Sequence, residues 1–173
     1  VKEAVRVLTK WPSAAPAPRL LELARTSADS TLQALALRGC IEVAGQEPDL
    51  VKRLAWLQQA TAAARNPSEK KQALGLMGQI PTPEALQIVL TDLADSGLAE
   101  EAGLAAVSIA EKLAGANPKL AAEVAVKVLA QCKSPDLVKR AWALRGQLKS
   151  AAPFIQDWLV AGPYNQAGAN DAL

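Results

Sequence analysis

The chain has 173 residues, a net charge of +2, a pI near 8.6, no histidine and only 3% aromatics. Without imidazole there is no Ser-His-Asp or Cys-His nucleophile pair, no histidine metal ligand and no histidine pH switch. The charge falls well short of the basic excess that marks a nucleic-acid binder.

Alanine occurs 36 times and leucine 25 times, about a third of the chain. Both are strong helix formers, and β-branched and aromatic residues are few, so the expected fold class is all-α. No apolar run approaches the length of a membrane-spanning helix. No signal peptide is visible, and the start at Val1 without Met suggests an excised or processed fragment of a larger chain. Periplasmic or secreted placement is favoured over cytoplasmic.

In chain order, a first helix is expected over 2–10, with Val1, Val5 and Leu8 supplying an apolar capping face. Residues 12–18 hold three prolines and read as a loop. Four helix pairs follow: 19–27 with 30–44, 48–64 with 68–79, 83–95 with 98–114, and 118–132 with 135–149. Most starts carry a proline behind a capping residue: Glu47-Pro48, Asn66-Pro67, Thr82-Pro83, Asn117-Pro118 and Ser134-Pro135. Proline suits the first helical position, where its missing N–H has no partner to lose. Asn66 and Glu69 have capping-box spacing.

Pro48, Pro83 and Pro118 are 35 residues apart. Apolar character follows the same step, in columns such as Leu50/Ala85/Leu120, Val51/Leu86/Ala121, Leu54/Val89/Val124 and Ala55/Leu90/Ala125. The second helices align as Ala34/Ala73/Ala102/Ala141, Leu37/Leu76/Ala105/Leu144 and Ile41/Ile80/Ile109/Leu148. Gly39, Gly78 and Gly146 share a column with Val107. Glycine inside a helix costs about 1 kcal/mol, so a close helix neighbour is expected there. The Gly75–Gly78 GxxG is read as helix contact, not as a phosphate or nucleic-acid clamp.

Two helices per period of about 35 residues is an α-solenoid pattern. The stretch 66–80, with Ala73-Leu-Gly-Leu-Met-Gly78, followed by Pro83-Glu-Ala-Leu86, resembles bacterial HEAT-like repeats of the phycobilisome-lyase type. The segment Asp136–Leu144 matches the same pattern, and Gly103–Ile109 matches it least. The resemblance covers roughly 19–149 and implies a right-handed armadillo-like α-α superhelix over 1–150. It implies a binding scaffold and carries no lyase activity with it.

After Ser150 the periodicity ends and residues 151–173 form a tail. The string Trp158-Leu-Val-Ala-Gly-Pro-Tyr164 is similar to the opening strand of β-sandwich modules in large bacterial extracellular proteins. The alternative is a cap that folds its aromatics over the last repeat.

Cys40 and Cys132 lack metal spacing and read as half-buried thiols on helices, roughly 30 Å apart by helix stacking and so unbridged. Trp56 and Trp142 are expected to pack partly between helices. Glu100, Glu101, Asp92 and Asp95 read as surface acids at helix ends. No catalytic, cofactor-binding or metal-ligating residue is assigned, and no cofactor is expected.

The residues proposed to meet a partner are Arg38, Lys70, Lys71, Lys139, Arg140, Trp142 and Arg145, along one groove. A protein or peptide is the expected partner of a non-enzymatic monomeric scaffold. Nucleic acid is the alternative, with basic pairs on phosphates and a tryptophan under a base, as in HEAT-like DNA-repair glycosylases. A spacer in a secreted carbohydrate-active protein is a third reading. No membrane partner is expected.

Overall fold

A computed structural model describes residues 2–150. Among them are nine α-helices and no strand. They are α1 (Lys2–Thr9), α2 (Ala17–Thr26), α3 (Ser30–Ala44), α4 (Leu50–Ala63), α5 (Pro67–Met77), α6 (Pro83–Thr91), α7 (Ala99–Leu113), α8 (Pro118–Gln131) and α9 (Pro135–Ser150). The fold class is all-α. Val1 and both readings of the 151–173 tail lie outside the described residues.

Local chemistry sets the helix starts. Prolines 67, 83, 118 and 135 each occupy a first helical position. Thr82 Oγ1 accepts from the Ala85 N–H at 3.2 Å, and Asn117 Oδ1 from the Leu120 N–H at 3.1 Å. Pro48 does not open a helix. Asp49 caps α4 instead, its Oδ1 accepting from the N–H groups of Val51 and Lys52. Asp29 caps α3 in the same way. The loop before α2 is shorter than expected, because Pro18 already lies within that helix. Helix α6 stops at Thr91, and a 3-10 turn over Asp92–Ala94 follows.

The extensive helix contacts all join elements one or two places apart in the chain. Helix α1 packs on α3, α3 on α5, α5 on α7 and α7 on α9, while α2 meets α4. One continuous apolar core runs from Val5 to Leu144. Val5 is buried and Leu8 packs beside it, so α1 covers the start of this core.

The inner-helix columns hold in most places. Ala73, Ala102 and Ala141 are fully buried, as are Ile41, Ile80 and Ile109, while Ala34 is half-buried. A Cβ on Gly39 would collide with Thr9 of α1, and one on Gly78 would stand 3.0 Å from Ala105 Cα of α7. Gly75 and Gly146 have nothing within 4 Å of that position, so close packing does not explain them.

At α4 the Leu54 column holds, but those of Val51 and Ala55 fail. Val51 is 77% exposed and Ala55 is exposed, whereas Leu54, Leu57 and Ala60 are buried. The cap at Asp49 starts α4 at Leu50, and its buried face turns to Leu54 and Leu57. Helices α6 and α8 keep the shared register: Leu86, Val89, Ala121 and Val124 are all buried.

Candidate interaction surface

A groove lies across α5, α7 and α9. It has a volume of about 400 Å³ and is lined by Gly75, Gln79, Leu104, Ser108, Glu111 and Arg140, among others. A second hollow of about 330 Å³ continues it past Ser134 and Leu137 and shares Glu101, Leu104 and Arg140.

Three helices position its polar groups. Lys71 of α5 pairs with Glu101 of α7 at 3.0 Å. Arg140 of α9 reaches back to α7, where its guanidinium donates to both Glu111 carboxylate oxygens and to Ser108 Oγ. Lys112 donates to the Gln79 carbonyl across the α5–α7 junction. Between these ties stands Leu104, 47% exposed. Its column otherwise holds Ala36, Gly75 and Ala143, so the only large side chain there is apolar and faces solvent. That column mismatch is the signal that could have identified Leu104 from sequence. Glu101, Glu111 and Ser108 had no such signal.

The predicted basic stripe is divided. Arg140 lines the groove and is tied to Glu111, whereas Lys71 meets the groove only through its pair with Glu101. Arg38 on α3 and Lys139 on α9 are exposed. Lys70 lies in a different cleft, with Arg65, Asn66 and Asp95. Trp142 does not pack between helices. It is 54% exposed, and the Arg145 guanidinium lies 5.1 Å from its ring centroid, a cation–π arrangement. Trp56 does pack against the core.

The helix-end acids do structural work. Glu100 accepts from the N–H groups of Lys133 and Ser134, joining α7 to the turn before α9. Asp95 accepts from the Gly97 N–H and shapes its own turn. Burial raises the Asp92 carboxyl above its ordinary range, against the pull of Lys70. Glu69 is 2% exposed; Oε2 accepts from the N–H groups of Arg65 and Asn66, and Oε1 is buried without a partner.

Both thiols are free and buried, not half-buried. Cys40 Sγ donates to the Ala17 carbonyl; Cys132, just beyond α8, donates to that of Ala99. Burial pushes each up to about 11, with Glu100 adding to the rise at Cys132. Such thiols are poor nucleophiles at neutral pH. Among the described residues, no three metal-ligating side chains converge, and no helix is long and apolar enough to cross a membrane. No family model, curated protein or solved structure matches the chain.

Proposed function

We propose that the chain is a non-enzymatic interaction scaffold, a right-handed α-solenoid of HEAT-like repeats that binds a protein or peptide segment along the α5–α7–α9 groove. The stacking part is supported by extensive helix contacts that join near neighbours in the chain and by the column pattern of alanine and isoleucine. The observation that carries the binding part is Leu104, half-exposed between the Lys71–Glu101 and Arg140–Glu111 pairs. An apolar anchor ringed by mixed charges suits a peptide with one buried apolar side chain and polar flanks. A phosphate backbone would meet Lys71 and Arg140 already paired with carboxylates, which argues against nucleic acid.

The test is selection of binders from a random peptide library on the full chain, followed by affinity measurement on Leu104→Asp and Val126→Asp. Val126 is a comparably exposed apolar residue on α8. Peptides that lose affinity by about tenfold or more on Leu104→Asp alone support the reading; a lost apolar anchor is worth about 1.5–3 kcal/mol. Binders indifferent to Leu104→Asp overturn it, as does salt-sensitive binding of short duplex DNA with no peptide binders.

A further inference from the structure

Helix α9 carries an unfinished face. Three residue columns show it. Leu74 and Gly103 are buried, but Trp142 in the same column is exposed. Met77 and Ala106 are buried, but Arg145 is only half-buried. Gly78 and Val107 are buried, but Gly146 is exposed, with nothing within 4 Å of a Cβ. At the C-cap of α5 and within α7 these columns are closed by elements that follow: a Cβ on Gly78 meets Ala105, and one on Gly103 meets Cys132 and Leu137. Within 2–150 nothing follows α9 to do the same.

We propose that the chain's own residues 151–173 cover this face, with the apolar side chains of 154–160 seated over Trp142 and Gly146. Reach is sufficient. Trp142 lies eight residues before Ser150, about 12 Å along a helix, and a few extended residues span that distance at roughly 3.3 Å each. Composition fits as well. The segment holds Phe154, Trp158 and Tyr164, three of the six aromatics in the chain. Phe154, Ile155, Trp158 and Leu159 supply the apolar area, and Gln156 and Asp157 interrupt them with polar groups. Register fits too. Pro153 stands 35 residues beyond Pro118, the step that separates Pro83 from Pro118, the opening residues of α6 and α8. The segment therefore begins where the next element of the array is due. Trp142 and an open glycine give an aromatic cover both a flat surface and a recess.

The test uses the full chain. Ala143→Cys places the label on an exposed position of α9 beside the proposed cover and not beneath it, and a maleimide nitroxide labels it selectively because Cys40 and Cys132 are buried. Amides of 154–160 and the Trp158 indole N–H are expected to lose most of their NMR intensity by paramagnetic relaxation. A mixture of labelled unenriched chain with unlabelled enriched chain is expected to show no loss. Intensities that stay unchanged in the labelled chain overturn the proposal. Equal loss in the mixture also overturns it, and assigns the face to a second copy. As an independent check, Phe154→Asp with Trp158→Asp is expected to speed amide exchange in 139–146 by about tenfold, as loss of cover lowers local stability; unchanged exchange contradicts the proposal.

Discussion

A Cβ on Gly103 would stand 2.5 Å from the Sγ of Cys132 and 2.8 Å from a methyl of Leu137. The same sulfur donates to the Ala99 carbonyl at 3.2 Å, so it is held in place from two sides. Gly103 is thus the point where α7 admits both the end of α8 and the start of α9.

Gly103→Ala is expected to destabilise the protein by about 1–3 kcal/mol through overpacking, although alanine gains about 1 kcal/mol in helix propensity. Cys132→Ala in that background should recover part of the loss. Gly75→Ala, with open space around it, should stabilise by up to about 1 kcal/mol. Urea unfolding measures all three; a stabilising Gly103→Ala would contradict the close approach.

The thiols set an alkaline limit. In the folded chain Cys40 and Cys132 titrate near 11, whereas an unfolded thiol titrates near 8.5. Below about pH 8 both states hold the proton and stability is unaffected. Between about pH 9 and 11 only the unfolded chain releases it, so stability falls by about 1.4 kcal/mol per pH unit for each thiol. Denaturant midpoints across this range, compared with Cys40→Ala, should show a shallower slope in the variant. An identical slope would mean that Cys40 does not stay protonated.

Asp49, and not Pro48, starts α4. Asp49→Ala should cost about 1 kcal/mol, the usual value of an N-cap, while Pro48→Ala should leave stability within about 0.5 kcal/mol. Thermal unfolding of the two variants decides the point, and a larger loss from Pro48→Ala would restore the proline reading.

Asp29 links the first helix to the α3 cap. The Lys2 ammonium, 2.8 Å away, leads in holding its carboxyl below the ordinary range, with the N–H groups of Leu32 and Thr31 helping. A depressed carboxyl stabilises the fold above about pH 4 and loses that contribution as pH falls through its folded value. Carboxyl NMR titration should show Asp29 protonating below the ordinary aspartate range and moving upward in Lys2→Ala. No upward movement in Lys2→Ala would remove the link.

Helix number, order and most boundaries were legible because alanine and leucine periodicity, prolines and capping residues are local signals. The failures come from tertiary geometry. Val51 follows the 35-residue column yet is exposed, because α4 buries the face of Leu54, Leu57 and Ala60, and the helical period places Val51 off that face. Trp142 is an aromatic in an inner-helix column, but no element within 2–150 closes over it. At the groove, Lys71 and Arg140 were visible as basic residues. Their carboxylate partners were not, because Glu101 and Glu111 lie 30 and 29 residues away in sequence. Leu104 was legible only as the one large residue in a small column.

The most direct measurement is chemical-shift mapping of a library-selected peptide on the isotopically enriched full chain. The account predicts saturable shifts at Gly75 on α5, at Gln79 in the turn after it, at Leu104 and Ser108 on α7 and at Arg140 on α9, with Val51 and Val126 unmoved. Shifts centred on Val51 or Val126, or spread without saturation, would contradict the groove as the binding surface.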